Sequence, residues 1–172
     1  MKQYEVNLGS ITLMIAQECN LKCKYCYGEG GEYQERGKMT NDIAIKSVDF
    51  LIENTKQKEL LIIFFGGEPL MNFDLIKVVV EYCKAKEKYT DKKFRFSMTT
   101  NGTLINDKIE EYIRENNIFV QISIDGRKEV NDINRFNSSG EGIFDKVIAR
   151  THNLRKVNIT GSKFHPFTYG NH

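Results

Sequence analysis

The sequence has 172 residues, which is enough for one domain with a sizeable hydrophobic core. Its 25 basic and 23 acidic residues nearly balance, and no stretch is long and apolar enough to cross a bilayer, so composition indicates neither nucleic acid nor a membrane as a partner. The chain opens on Met1 without an apolar leader, so we expect a cytoplasmic protein whose thiols stay reduced.

Three cysteines follow the first predicted strand. The apolar run over residues 11–16 leads into a loop in which Cys19, Cys23 and Cys26 have the spacing C-x3-C-x2-C. This spacing brings three thiolates to one side of a loop, and no fourth cysteine lies nearby to close a tetrahedral site. Cysteine thiolates hold iron–sulfur clusters, and a cluster with three protein ligands keeps one iron free. The loop therefore predicts a metal centre with an open coordination position.

Two other uses of cysteine are less favoured. A structural zinc site takes four ligands, and His152, His165 and His172 are scattered far down the chain from the cysteine loop. The fourth cysteine, Cys83, completes an apolar stripe at helical spacing. We therefore interpret Cys83 as a small buried core residue rather than a metal ligand.

Strands and helices alternate along the rest of the chain. A Gly-rich turn at residues 28–31 follows the cysteines, and Thr40 and Asn41 stand where the first helix needs a cap. Short apolar runs, typical of parallel strands covered on both faces, then alternate with segments of helical periodicity. The predicted strands are residues 11–16, 60–65, 94–98, 118–124 and at most a fifth at 157–160, and the helices after the first are 73–88, 107–116 and 143–155.

The positions of the unusual motifs along the chain distinguish between a barrel and a doubly wound α/β sheet. The cysteine loop and residues 66–69, 99–102 and 123–126 each lie at the carboxyl end of a predicted strand. Four successive strand ends can converge on one mouth if a parallel sheet curls, and barrel folds place their sites there. We therefore predict an α/β fold, a partial parallel (β/α) barrel of about four to five strand–helix units, rather than a doubly wound sheet.

The cysteine spacing, with the aromatic residue Tyr25 before the last cysteine, resembles the signature of the radical S-adenosylmethionine (radical SAM) enzymes. The resemblance implies that Cys19, Cys23 and Cys26 hold a four-iron four-sulfur cluster, whose free iron is chelated by S-adenosylmethionine. It also implies an electron donor, such as flavodoxin or ferredoxin, and cleavage of the cofactor to a 5′-deoxyadenosyl radical. No residue of the motifs is expected to be a general base.

Two further motifs resemble cofactor-binding segments of this family. Gly66, Gly67 and Glu68 resemble its GGEP motif, in which glycine lets exposed backbone groups reach the methionine amino group. A plain turn, with Glu68 capping the next segment, is the alternative. Thr99 and Asn101 resemble a motif near the ribose, although Asn-Gly is also an ordinary turn.

The last motif follows the fourth predicted strand. Ser123 and Asp125 resemble a segment of the peptide- and protein-modifying members, in which the serine contacts the cofactor. An inward serine needs a partner, which a ribose hydroxyl could supply. Arg135 falls where relatives carry an arginine for the cofactor carboxylate, and an isolated surface arginine is the alternative. Tyr25 resembles the aromatic residue beside the adenine, and simple packing beneath the loop is its alternative.

Within the family, the sequence most resembles the SPASM-type maturases of ribosomal peptides and sulfatases, so the expected substrate is a peptide or protein side chain. Residues 64–73, FFGGEPLMNF, favour thioether formation over the anaerobic conversion of a sulfatase residue to formylglycine. Such relatives have six strands and a cysteine-rich C-terminal domain, so we expect residues 1–156 to be a truncated core with an open sheet edge and residues 157–172 an irregular tail. A non-catalytic iron–sulfur fragment or scaffold is the alternative to an enzyme.

Overall fold

The computed structural model describes residues 7–29 and 35–151 of the chain. Several predicted features lie outside these residues: part of the Gly-rich turn, the end of the helix predicted to reach residue 155, the strand at 157–160, the tail at 157–172, and the three histidines. The described strands are β1 (Ser10–Ala16), β2 (Glu59–Gly66), β3 (Lys93–Thr100) and β4 (Phe119–Ile122). The helices are α1 (Asn41–Glu53), α2 (Phe73–Lys86), α3 (Asp107–Glu115), α4 (Lys128–Asn134) and α5 (Phe144–Thr151), and a 3₁₀ turn, Pro69–Asn72, precedes α2.

The four described strands form one parallel sheet. They pair in the order β1-β2-β3-β4, so that Ile62 of β2 is aligned with Ile11 of β1 on one side and with Phe96 of β3 on the other. The order follows the chain without the reversal that defines a doubly wound sheet. All four carboxyl ends therefore lie along the same edge, as the sequence predicted.

The main core lies between one face of the sheet and the crossover helices. Buried residues of α1, α2 and α3 join alternate residues of all four strands in a single hydrophobic cluster. Cys83 is fully buried in this cluster, which confirms its predicted place in the core. On the opposite face, Thr12, Arg95 and Gln121 are exposed. The covered and the open face correspond to the outside and the inside of a barrel sector.

Side-chain caps set the beginnings of two helices. The Thr40 hydroxyl accepts a hydrogen bond from the Ile43 N–H at 3.4 Å, and α1 begins at the next residue. The Asn106 side chain accepts from the Ile109 N–H at 3.0 Å and begins α3 in the same way. These contacts satisfy N–H groups that have no partner within the first turn. The sequence predicted the cap of the first helix at Thr40 and Asn41, and the structure places it at Thr40, with Asn41 as the first helical residue.

Two elements differ from the sequence prediction. The fourth strand ends at Ile122, not at residue 124, because its neighbour β3 ends at Thr100 and offers its last carbonyl to the Ser123 N–H. Helix α4 was not predicted, since it has only seven residues and no apolar stripe: Val130 and Ile133 are half-exposed, whereas Asn131 is fully buried. Within the described residues, no helix is both long and apolar enough to span a bilayer.

Candidate functional site

The cysteine loop leaves β1 at the carboxyl edge of the sheet and is held by the last residue of α4 and the segment that follows it. The Lys22 N–H donates to the Phe136 carbonyl at 2.8 Å, and the Lys24 N–H donates to the Asn134 carbonyl at 2.9 Å. Leu21 is buried against α5 in a second, smaller hydrophobic cluster. Backbone pairing and burial thus fix the chain on both sides of the second cysteine.

The three thiols of this loop are free, and each is partly buried. Burial raises the pKa of the Cys19 thiol above its usual value. Burial also raises the pKa of the Cys23 thiol to about 11, while the Arg135 guanidinium opposes this shift and the charges of Cys19 and Cys26 add to it. At neutral pH the Cys19 and Cys23 thiols of the metal-free protein are protonated, so a metal that binds them must displace these protons.

Three cysteine thiolates are donors of the kind that hold an iron–sulfur cluster. In the part of the chain that the structure describes, no three His, Cys, Asp or Glu side chains converge closely enough to hold one metal ion. A cluster binds its thiolates through different iron atoms, so its ligands remain apart. The Cys19 sulfur already accepts hydrogen bonds from the Leu21 N–H at 3.4 Å and from Asn101 Nδ2 at 3.7 Å. Such donors are a common environment for the sulfur of a cluster ligand.

Gly66 lets the end of β2 approach the end of β1, where the cysteine loop starts. Gly66 has φ +139°, and a Cβ at this position would lie 2.2 Å from the Ala16 carbonyl oxygen. The Gly67 N–H donates to the same oxygen at 2.8 Å. Only glycine tolerates this conformation and this proximity. Glycine at position 66 is therefore required by the backbone geometry at the edge of the sheet.

Glu68 is fully buried and ties β2 to β3. Its Oε1 accepts from the Leu70 N–H at 3.0 Å and from the Thr100 hydroxyl at 2.6 Å, and its Oε2 accepts from the Asn101 N–H at 2.8 Å. Burial raises the pKa of this carboxyl, and these three donors oppose the shift. The contacts support the alternative in which Glu68 caps the following segment. Its predicted contact with a cofactor stays a prediction.

Asn101 lies against the cysteine loop. Its Nδ2 donates to Asn20 Oδ1 at 2.9 Å and lies within hydrogen-bond distance of the Cys19 sulfur. Its Oδ1 accepts from the Thr103 N–H at 2.9 Å and from the Thr103 hydroxyl at 2.7 Å. Asn20 Nδ2 in turn donates to the same hydroxyl at 2.8 Å. This closed network joins the end of β3 to the cysteine loop.

A second set of polar side chains in contact with one another lies on the other side of the cysteine loop. The Tyr25 hydroxyl donates to Asp125 Oδ2 at 2.5 Å, and Arg135 Nε lies 3.0 Å from Asp125 Oδ1, without the alignment of a hydrogen bond. The guanidinium also stacks over the Tyr25 ring, 5.3 Å from its centroid. Burial and the bond to Asp125 raise the pKa of Tyr25, so its hydroxyl stays protonated. Asp125 thus joins the cysteine loop to Arg135.

The structure brings the predicted site residues to one edge of the sheet. Asn101, whose N–H donates to Glu68, reaches Cys19, whereas Tyr25, Asp125 and Arg135 form a second group of contacts on the other side of the cysteine loop. Thr99 is half-buried on the open face of β3, and Ser123 is half-buried just beyond β4. The contacts described here do not assign a ligand to either of them, so their roles stay predictions.

Three residues of the site were missed from the sequence: Asn20, Thr103 and Asn131. Asn131 accepts from the Asp125 N–H at 3.2 Å through Oδ1, and it is fully buried. The position of Asn20, directly after a predicted ligand, was the only clue to its role in the sequence. Asn131 belongs to the helix that periodicity did not predict, so no clue to its burial was present.

Comparison with known proteins gives a consistent result. Residues 13–171 match the Radical SAM superfamily. The radical SAM cyclopropyl synthase TigE of Paramaledivibacter caminithermalis is 33% identical, over 88% of this chain and 34% of its own length. The serine-type anaerobic sulfatase-maturating enzyme of Bacteroides thetaiotaomicron is 36% identical, over 82% of this chain and 35% of its own length.

A solved structure, native anSMEcpe with bound AdoMet and Cp18Cys peptide, superposes with a TM-score of 0.75 at 30% identity. The match covers 86% of this chain and 40% of that one. This likeness confirms the predicted partial parallel (β/α) barrel. The chain spans less than half the length of these relatives.

Proposed function

Because this chain belongs to the radical SAM superfamily, we propose that Cys19, Cys23 and Cys26 hold a four-iron four-sulfur cluster whose open iron binds S-adenosylmethionine. The superfamily uses both cofactors, and the solved relative carries AdoMet. The observation that carries the proposal is the set of three free, partly buried thiols on one loop at the carboxyl edge of the sheet. When bound, the two cofactors supply a 5′-deoxyadenosyl radical that removes a hydrogen atom from a substrate.

Other residues at this edge are suited to hold the cofactor. Arg135 approaches Asp125 through Nε, so its two terminal amino groups can still grip the carboxylate of the methionine moiety in a bidentate way. The backbone of Gly67 can reach the amino group, because no side chain intervenes. Tyr25, Thr99 and Ser123 are assigned to the adenosine half. A low-potential carrier such as flavodoxin or ferredoxin would supply the electron.

We assign a peptide or protein side chain as the substrate class. Two relatives act in anaerobic sulfatase maturation and cyclopropane formation by name, and the solved relative holds the Cp18Cys peptide. Residues 64–73 favour thioether formation among the possible outcomes. Formylglycine formation is the second candidate, because a sulfatase-maturating enzyme is among the relatives.

The first test is release of 5′-deoxyadenosine by the full chain. The protein is reconstituted anaerobically with iron and sulfide, then given S-adenosylmethionine and dithionite. We expect release from the wild type and from Cys83→Ala, a matched control that removes a cysteine outside the loop. We expect none from Cys19→Ala, Cys23→Ala or Cys26→Ala. A wild-type protein with an intact cluster and no 5′-deoxyadenosine would instead support the non-catalytic fragment.

The second test separates the two reactions on cysteine-containing peptides. Thioether formation removes two hydrogens, keeps the sulfur and consumes the thiol, so the product resists alkylation by iodoacetamide. Formylglycine formation leaves an aldehyde that reacts with a hydrazide. A modified peptide that still reacts with iodoacetamide and does not react with a hydrazide would contradict both assignments.

A further inference from the structure

The sulfur of Cys19 accepts a hydrogen bond from a side chain, and a substitution of that side chain can remove it. Its two donors are the Leu21 backbone N–H at 3.4 Å and Asn101 Nδ2 at 3.7 Å. The first is a main-chain group and is present whatever residue stands at position 21. The second comes from a side chain that is only 7% exposed, so water does not readily replace it.

The network around Asn101 fixes which way its amide points. The Oδ1 atom accepts both the N–H and the hydroxyl of Thr103, at 2.9 Å and 2.7 Å. Because the oxygen is occupied there, the Nδ2 atom must face the cysteine loop, where it also donates to Asn20 Oδ1 at 2.9 Å. The flipped amide would place an oxygen against both Asn20 Oδ1 and the Cys19 sulfur.

The backbone of Asn101 is held just as firmly. Its N–H donates to Oε2 of Glu68 at 2.8 Å, and the other oxygen of this fully buried carboxylate binds the Thr100 hydroxyl at 2.6 Å. The end of β3 therefore has little freedom to withdraw from the loop. The contact between Asn101 and Cys19 is the end of a connected series that begins at Glu68.

An N–H donor beside a cluster thiolate has a defined electrostatic effect. Reduction adds one electron, and its negative charge is shared with the sulfur atoms. A donor aimed at a sulfur stabilises the more negative, reduced state, so hydrogen bonds to the sulfurs are among the factors that set the potential. Removal of such a donor makes the cluster harder to reduce.

We propose that Asn101 is a positioning residue that raises the reduction potential of the cluster through its N–H···S hydrogen bond to Cys19. This proposal rests on the proposed function, because it requires the cluster to be bound. Glu68 and Thr103 hold the amide in place for this bond. This role differs from the ribose contact that the sequence motif suggested. It places Asn101 on the electron-accepting step rather than on cofactor binding.

The test is a redox titration of the reconstituted full chain, followed by electron paramagnetic resonance. Asn101→Leu has a similar volume and no donor, and Asn101→Asp has the same shape with oxygen in place of Nδ2. We expect both variants to show a more negative midpoint potential than the wild type at equal iron content. The matched control is Asn116→Leu, the same substitution at a half-buried residue whose amide donates to the Tyr112 carbonyl at 2.8 Å at the end of α3, and it should leave the midpoint unchanged.

Each outcome decides the proposal. An unchanged midpoint in an Asn101 variant that carries a full cluster overturns it, and leaves the proposed function standing. An equal shift in Asn116→Leu also overturns it, because a general effect of losing an amide side chain would then explain the change. If neither Asn101 variant assembles a cluster while Asn116→Leu does, Asn101 is needed for assembly and the tuning role is wrong. A wild type that binds no iron–sulfur cluster removes both the inference and the proposed function.

Discussion

Asp125 is the residue that joins the two sides of the site around Cys23. One carboxylate oxygen accepts from Tyr25 of the cysteine loop, and the other faces Arg135 beyond α4. The side chains of Asp125 and Arg135 are only 16% and 14% exposed. A charge that loses its partner at this depth stays poorly solvated. The three residues therefore act as one unit that fixes the loop.

This unit predicts a graded loss of stability. We expect Asp125→Ala to lower the free energy of unfolding by about 1–3 kcal/mol, because it leaves the Arg135 guanidinium without its counter-charge. Tyr25→Phe, which removes one hydrogen bond of a half-exposed residue, should cost only about 0.5–1 kcal/mol. Urea unfolding of the metal-free protein measures both.

The control for this prediction is Asp145→Ala. Asp145 pairs with Lys128 on the surface and is 73% exposed, so its loss should change the stability by less than about 0.5 kcal/mol. An Asp125→Ala variant that is as stable as Asp145→Ala would show that the Tyr25, Asp125 and Arg135 contacts do not hold the loop.

The place of a site residue in the fold could be predicted from the sequence where a motif follows a strand, but its side-chain contacts could not. The place of the three cysteines after the first strand follows from the apolar run at residues 11–16 that precedes them. Glu68 was expected at a cofactor or as a cap, and only the structure shows its three donors. The Asn101 contact with Cys19 joins residues 82 positions apart, and no local pattern reports such a pair.

At the scale of elements, the junction of β1 and β2 depends on a single residue type. Gly66 combines φ +139° with a carbonyl oxygen 2.2 Å from the place of a Cβ. We expect Gly66→Ala to lower the free energy of unfolding by about 3 kcal/mol or more, since backbone strain and a steric clash add. Thermal or urea unfolding of the purified variant measures the loss.

Gly126 provides the matched control for that prediction. It also has a positive φ, +82°, but nothing lies within 4 Å of the place of its Cβ. Gly126→Ala should therefore cost only the backbone term, about 1–2 kcal/mol. Equal losses in the two variants would contradict the view that close approach of β1 and β2 requires glycine at position 66.

The contact between α1 and α2 predicts a dependence of stability on pH. The Tyr82 hydroxyl donates to both oxygens of Asp49, at 2.7 Å and 2.8 Å, and Lys86 Nζ lies 2.7 Å from Asp49 Oδ1. Burial raises the pKa of Asp49, but the bonds from Lys86 and Tyr82 outweigh it and hold this pKa below its usual 3.8. A lowered carboxyl pKa stabilises the fold above that value, and the contribution is lost as pH falls through the lowered pKa.

We therefore expect Asp49→Asn to be less stable than the wild type by about 0.5–1 kcal/mol at neutral pH, because the pair is partly exposed and solvent screens it. The difference should shrink as the pH falls below 3.8 and the Asp49 carboxyl becomes protonated. Urea midpoints at several pH values give the two curves, with the exposed Asp91→Asn as the control. A difference that stays constant as the pH falls through this acid range would show that the charge of Asp49 is not the cause.

Helices and strands with a strong hydrophobic periodicity could be predicted from the sequence, whereas a short helix with a polar buried residue could not. The first four strands, α1, α2 and α3 were expected within a few residues of their observed bounds. Helix α4 buries Asn131 and exposes Val130 and Ile133, which is the reverse of an amphipathic pattern. Its position is set by the pairing of the segment after it with the cysteine loop, a tertiary contact.

At the scale of the whole molecule, the described residues form a sector of a barrel with helices on one face and the site at one edge. The parallel order of the strands places four motifs, which are far apart in sequence, along that edge. The relatives are more than twice as long, and the matched segment covers 34 to 40% of each of them. The four motif-bearing strand ends are nevertheless all present.

We propose that the three cysteines leave one iron of a cluster open to S-adenosylmethionine. Electron paramagnetic resonance of the reconstituted, dithionite-reduced chain, recorded before and after addition of S-adenosylmethionine, shows whether the cofactor binds that iron. We predict the signal of a reduced four-iron four-sulfur cluster whose g values shift when the cofactor is added. Protein that takes up only zinc, or a cluster whose spectrum is the same with and without the cofactor, would contradict the claim.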